Sequence, residues 1–289
     1  MRASPLGLLA IAVLATPLPA AADGVRGVLQ VTPVYQGWPG VDGSVDRYAP
    51  GIASRAGAAR SGLGLRYGYF DDRFREAALF GPAVPWTSGT RTGLSAPISY
   101  QGADGWSAEA VPSFDYFRED GASWSDSLSW GALLAVSKQF AERRRIGLGV
   151  GVYDTLDETR AFPYLVVDWE FNDRWSVANP LAAGPTGPAG LELRYRFDNN
   201  WIVGAGGAYR TYRFRLDDAG LAPGGVGEER GIAAFIHFGR DFGPRYSLDI
   251  YAGALLDGEL RLDNGAGSEL LRTKFDPAPL MGITFTGRF

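Results

Sequence analysis

The sequence predicts an all-β chain closed on itself, a transmembrane antiparallel up-and-down β-barrel of about 12 strands. Three observations lead there. Apolar and polar residues alternate with period two in one segment after another. Short connections alternate with long ones, and an aromatic ring stands beside each short turn.

The N-terminus is read separately. Met1 and Arg2 give a short positive start, "LGLLAIAVLA" an apolar core, and "PLPAAA" a small-residue ending. That order is a secretory signal peptide over residues 1–22, with cleavage before Asp23. The apolar run is well short of the ~20 residues a spanning helix needs, and no later segment reaches that length. The chain has no cysteine, so neither disulfides nor a lipidated N-terminus are available to it. Residues 23–60 form an N-terminal segment. Within it "GVLQVTPVYQ" is a further strand, a periplasmic stretch or a plug inside the lumen, and the Gly/Ala-rich 37–60 reads as irregular. Residues 61–289 form the barrel.

Counted along the chain, the expected strands are 61–70, 92–100, 106–117, 128–140, 145–153, 161–171, 174–180, 189–197, 200–213, 230–240, 245–262 and 279–289. Their patterns repeat one theme. "LELRYRF" sets Leu191, Leu193, Tyr195 and Phe197 against Glu192, Arg194 and Arg196. "YLVVDWEF" sets Leu165, Val167, Trp169 and Phe171 against Val166, Asp168 and Glu170. "YSLDIYAGALL" and "GIAAFIHF" follow the same rule, as a half-buried strand requires. If 27–36 is also a strand, parity requires another, for which Glu76 to Phe80 is the candidate. Fourteen strands is then the alternative count, and about ten follows if 92–100 or 174–180 is not a strand.

Alternation alone does not distinguish a soluble sandwich from a barrel in lipid. The connections and rings do. Short turns at 102–105, 141–144, 172–173, 198–200 and 241–244 alternate with longer polar stretches at 118–127, 154–160, 181–188, 214–229 and 263–278. Barrels in outer membranes have short periplasmic turns and longer extracellular loops in this way. Trp106, Phe140, Phe171, Trp175, Phe197, Trp201 and Tyr246 flank the short turns, and Phe289 completes the same membrane girdle. A looser second set, Phe114, Tyr116, Trp130, Tyr153, Phe162 and Tyr209, lies toward the long loops.

The stretches "FPYLVVDWEFNDRWSVANP" and "LELRYRFDNNWIVGAGGAYRTYRFRLDD" resemble an uncharacterised, domain-of-unknown-function family of Gram-negative outer-membrane β-barrel proteins. The resemblance is carried by "NDRWS", "YRFRLDD", "LDGELRL" and the terminal Phe289, roughly the C-terminal half of the chain. It implies outer-membrane location and barrel architecture, and recognition of the last strand by the barrel-assembly machinery. It implies no activity and no catalytic residues.

The expected function is non-enzymatic: a narrow channel or transporter, or a structural barrel. The alternatives are a barrel enzyme acting on membrane lipid and a surface adhesin that binds through its loops. Net charge is −4 with no basic run, which argues against nucleic acid. The one histidine, His237 in "FIHFGRD", has no nearby serine to activate, so no catalytic residue is assigned. One His and no Cys argue against a transition-metal site, and no cofactor is expected. The acidic loop 215–230 lacks fixed calcium-ligand spacing and reads as a solvated surface loop. By phase the lumen-facing charges are Arg66, Glu109, Asp115, Asp168 and Glu170 in one half of the chain. In the other they are Glu192, Arg194, Arg196, Arg210 and Asp249. They form either a ladder of ion pairs filling a narrow interior or opposed walls of a solute pathway. Outer-membrane lipid is the expected partner, and the barrel is expected to be a monomer.

Overall fold

A computed structural model describes residues 26–38, 41–56, 59–74, 84–181 and 189–289. Its strands among these are β1 (Arg26–Trp38), β2 (Val41–Ala56), β3 (Ala59–Phe74), β4 (Ser88–Ser95), β5 (Ile98–Gln101), β6 (Trp106–Glu119), β7 (Leu128–Ala141) and β8 (Arg144–Thr155). They continue with β9 (Thr159–Glu170), β10 (Trp175–Ala178), β11 (Gly190–Arg196), β12 (Trp201–Arg215), β13 (Val226–Phe242), β14 (Tyr246–Asp263), β15 (Glu269–Phe275) and β16 (Ala278–Arg288).

Each strand pairs antiparallel with its neighbours, and the last returns to the first. Gln30 pairs with Thr286 and Val34 with Gly282 across β1 and β16, closing the sheet. Prolines interrupt two staves of the wall. β4 and β5 form one stave broken at Ala96–Pro97, where Gly62 donates to the Pro97 carbonyl and Ala96 to that of Pro112. β15 and β16 form another, broken at Asp276–Pro277 opposite Asp257, whose φ is 46°. A proline cannot donate to the ladder, and at these two places the pairing breaks beside one, whereas Pro112 and Pro163 are carried within unbroken strands. Counted this way the closed circuit has fourteen staves among the described residues.

That is two more than twelve. All twelve strands expected from the sequence are present, and β1 and β2 are added. Residues 41–56 are therefore strand and not irregular. Their Gly, Ala, Ser and Asp content hides the period, and the segment is held by full-length pairing with β1 and β3 on either side. The Glu76 to Phe80 candidate lies outside the described residues.

One end of the barrel carries the tight connections after β5, β7, β9, β11 and β13, together with both β1's start and the C-terminus. It is called the turn end here, and the opposite one the loop end. The strands run further toward the loop end than the sequence suggests. Ordered pairing reaches Arg215 and Val226, which trims the expected loop 214–229 at both ends, and β14 extends to Asp263 with β15 beside it, so the expected loop 263–278 is mostly strand. β10 is the exception, ending after four residues. Asn179 then takes the place of a strand. Its side chain accepts from the Val167 amide (2.9 Å) and donates to the carbonyls of Leu165 (2.8 Å) and Gly190 (2.9 Å), tying β9 to β11.

At the loop end two staves from opposite sides touch. Arg215 of β12 and Arg118 of β6 form a single parallel bridge. The bridge pinches the cross-section into two lobes, one of them ringed by the seven staves β6 to β12. No helix among the described residues is long and apolar enough to cross a membrane, which does not bear on a β-barrel.

Candidate functional site: the barrel interior and its two faces

The outer face is apolar. Leu65, Ile98, Val136, Leu148 and Met281 are all at least half exposed, with Leu148 at 69%. A contiguous apolar surface of this kind marks contact with lipid or protein. Staves β6 to β9, of 12 to 14 residues, exceed the ~9–11 residues that a tilted strand needs to cross a membrane.

Trp106, Phe140, Phe171, Trp175, Phe197, Trp201, Tyr246 and Phe289 are all exposed at the turn end. Outward-facing cations sit among the rings there. Lys138 lies 5.2 Å from the Trp106 ring centre and 5.7 Å from that of Phe140, and Arg240 lies 5.0 Å from Trp201. Such cations reach along apolar surface to bring their charge to water. The second ring set divides. Phe114, Trp130 and Tyr209 face outward. Tyr153 and Phe162 instead lie on the inner face, stacked at 6.2 Å with planes 5° apart. Gly149 and Gly151 make room for inner rings: a Cβ at either would fall within 2.5 Å of the Tyr164 or Phe162 ring.

The inner face brings the expected charges together unevenly. On the side formed by β11 to β14, β16 and β1 they bond one another. His237 Nδ1 lies 2.5 Å from Glu192 Oε1 and Nε2 2.9 Å from Asp249 Oδ1, while the imidazole stacks on Tyr251 at 4.5 Å. Arg194 donates to the other Glu192 oxygen at 2.9 Å. Both ring nitrogens of His237 are thus engaged by carboxylates, which leaves neither to take a proton from a nucleophile. Nearer the loop end, Glu229 accepts from Arg210 (2.7 Å) and Gln36 (2.8 Å), and Arg210 also bonds Gln36. Thr32 and Thr284 share a hydroxyl bond at 2.9 Å, with Thr284 standing opposite Asp249 in the ladder.

The side formed by β3 to β9 is different. Glu109 and Asp168 are exposed inside it. Glu170 sits at its turn-end rim, where Arg143 donates to it at 2.9 Å. Arg196 and Asp241 form a comparable rim pair at 3.6 Å below the packed side. Arg66 and Asp115 meet at 3.2 Å beside a cavity of about 220 Å³. Arg91 bonds the same Asp115 oxygen at 3.0 Å.

The loop end is filled by side chains. Trp86, Phe214 and Leu216 are at most 4% exposed. Phe214 touches Phe70 (5.0 Å), Trp86 (5.3 Å) and Phe117 (5.3 Å), so rings from β3, β6, β12 and the segment before β4 form one plug. Leu255, Leu260, Leu262, Phe275 and Leu280 extend it across β14 to β16. The second lobe is clasped by ions: Arg160 and Arg213 hold Glu228 at 2.6 and 2.9 Å. Glu158 joins them from the loop after β8, and the Arg160 hydrogen bond holds its carboxyl below the ordinary glutamate range. The acidic residues of 215–230 are thus partly committed to arginines. Sequence reasoning missed the plug because Trp86 precedes β4 outside any strand and Phe214 fell at the start of the expected loop 214–229. The clue available was the density of rings in "YRFRL" and "FGPAVPW".

No protein-family model and no curated protein matches the sequence. Among solved structures, an outer-membrane channel from Pseudomonas putida F1 aligns over 93% of this chain and 97% of its own, at 10% identity and a TM-score of 0.47. A mutant of the monoaromatic hydrocarbon channel TodX aligns over 93% and 91%, at 10% identity and a TM-score of 0.44. The KdgM porin, in complex with disordered oligogalacturonate, aligns over 88% and 97%, at 10% identity and a TM-score of 0.37.

Proposed function

We propose that the chain is a non-enzymatic outer-membrane β-barrel that acts as a gated channel for small solutes, closed at the loop end by its apolar plug. The observation that carries the reading is the polarity of the interior. Charged groups line the β3 to β9 side with a cavity beside them, and an apolar plug fills the loop end above. A structural barrel needs no such cavity, and fourteen staves lie between the ~8 whose lumen side chains fill and the ~16–18 that leave an open channel.

Location follows from the same physics. The exposed apolar belt and the ring-and-cation girdle at the turn end fit a bilayer whose phospholipid headgroups meet those cations. In this reading residues 1–22 are removed on export, the turn end faces the periplasm, outer-membrane lipid surrounds a monomer, and the assembly machinery takes hold of β16. Fractionation of the expressed protein tests the location: recovery in the soluble periplasm without detergent overturns it.

Single-channel recording in a planar bilayer tests the function. The sample is refolded protein whose gel mobility changes on boiling. The expected record is mostly silent with rare openings. A barrel that stays silent even after the plug is removed is not a channel.

A further inference from the structure

We propose that Arg66 heads a binding site for a small monocarboxylate inside the barrel, an inference that rests on the lumen being reachable by solute.

The site is built from the register of three adjacent staves. Arg66 on β3, Gly93 on β4 and Asp115 on β6 stand at one level, with Gly64, Ser95 and Ser113 one step toward the turn end. The absence of a side chain at Gly93 is what admits Asp115, because a Cβ there would fall on its carboxylate. Together with Gln30 from β1 these groups bound the cavity of about 220 Å³. That is smaller than the ~300–1,000 Å³ of sites for drug-sized ligands, so the occupant has few heavy atoms.

Charge selects its class. Asp115 accepts from Arg91 as well as from Arg66, on the same oxygen. Two guanidinium groups therefore share one carboxylate, and the trio carries one positive charge in excess. Arg91 lies away from the cavity with its guanidinium 5.4 Å from the Phe117 ring centre, so the excess is presented by Arg66. Arg66 is 43% exposed at its side chain, and it reaches Asp115 through Nη1 only. Its Nε and Nη2 donate to nothing among the described residues. A guanidinium edge with free donors matches a carboxylate in a planar fork. The Ser95 hydroxyl and the Gln30 amide supply neutral donors beside it, while the Ser113 hydroxyl is engaged with Tyr153. One unit of excess charge suits a monoanion better than phosphate, which carries more, and Val28 in the cavity wall suits a short apolar tail.

The test is binding, measured apart from conduction. Ligand-observed NMR with propionate on detergent-refolded protein should show saturable binding that phosphate and chloride at equal concentration displace poorly. Arg66→Gln should weaken it by about tenfold or more, the loss of a charge-assisted bond. Arg66→Lys, which keeps the charge and loses the fork, should fall between. Asp115→Asn should tighten it, since it frees both arginines. Equal displacement by phosphate or chloride overturns the carboxylate assignment, and so does unchanged binding in Arg66→Gln or weaker binding in Asp115→Asn. If propionate binds in this pattern and bilayers stay silent even with the plug removed, the channel reading fails and the site stands. If conductance appears without such binding, only the site fails.

Discussion

Two sides of one interior, built from the same alternation of residues, end in opposite states. Along β11 to β14, β16 and β1 the luminal polar groups are spent on one another, so Glu192, His237 and Thr284 are buried. Along β3 to β9 the equivalent positions carry Glu109 and Asp168, which meet solvent. The binary pattern puts a polar residue inward in both cases. What differs is whether a neighbouring stave supplies a complementary partner at the same level. Register across strands, more than composition along one, decides whether a barrel interior is filled or wet.

The contrast can be broken most sharply at the plug, where the packed state crosses the whole lumen. Trp86→Ala combined with Phe214→Ala should turn a nearly silent barrel into one with sustained conductance. Asp168→Ala, on the wet side, should leave the record silent. Each plug substitution costs about 3–5 kcal/mol of packing, so the mobility shift on boiling must first show a folded barrel. A folded double variant that conducts no better than the parent would show that the rings do not gate the lumen.

Stability should separate the two sides next. Glu192→Ala leaves Arg194 and His237 without their shared carboxylate in a dry setting, at a cost of about 3–5 kcal/mol. Glu109→Ala should stay within about 0.5 kcal/mol, as surface changes do. Guanidinium unfolding followed by tryptophan fluorescence reads both, and equal costs would erase the distinction. Leu148→Arg tests the outer face, where a charge near the bilayer midplane should cost about 2–4 kcal/mol in lipid vesicles. In a surface that faces water it would cost almost nothing.

The smallest effect belongs to the loop-end clasp. Glu158 has its carboxyl held below the ordinary range by Arg160, so its contribution is present above the unfolded value of about 4.3 and is lost as pH falls through the lower folded value. The group is largely exposed, so the loss is small. Thermal melts should be flat from neutral pH to about 5 and decline below about 4 by slightly more in the parent than in Glu158→Gln. An identical acid limb in both would mean that the pair contributes nothing.

Much of this was legible in residues. The strands with large alternating side chains were visible because "LELRYRF" and "YSLDIYAGALL" state their period in the chain itself. Phase alone put Glu192, Arg194 and Asp249 on the polar faces of their strands. β2 was not visible, because Gly43, Ser44, Gly51 and Ala53 carry no amphipathic signal and its placement is dictated by β1 and β3. Tyr153 and Phe162 were grouped with the rings toward the long loops, yet the phase of β8 and β9 turns both inward, where they stack. The trio of Arg66, Arg91 and Asp115 needed three staves in register before it became one site, and Arg91 carried no sign of its part in it.

The pairing of β1 with β16 has a kinetic meaning. Gln30 bonds Thr286 and Thr32 bonds Thr284, contacts separated by 256 and 252 positions. Bringing such distant segments together carries the largest loop-closure entropy in the molecule, and contacts of high sequence separation form late. Every other antiparallel pair in the circuit can zip from a local hairpin, but this one waits for all of them. Until it forms, two strands keep unpaired amides and carbonyls that neither water-poor lipid nor a crowded aqueous space tolerates well. The slowest and most hazardous moment in the life of this chain is therefore its last: a nearly complete ribbon, correct everywhere, with one open seam.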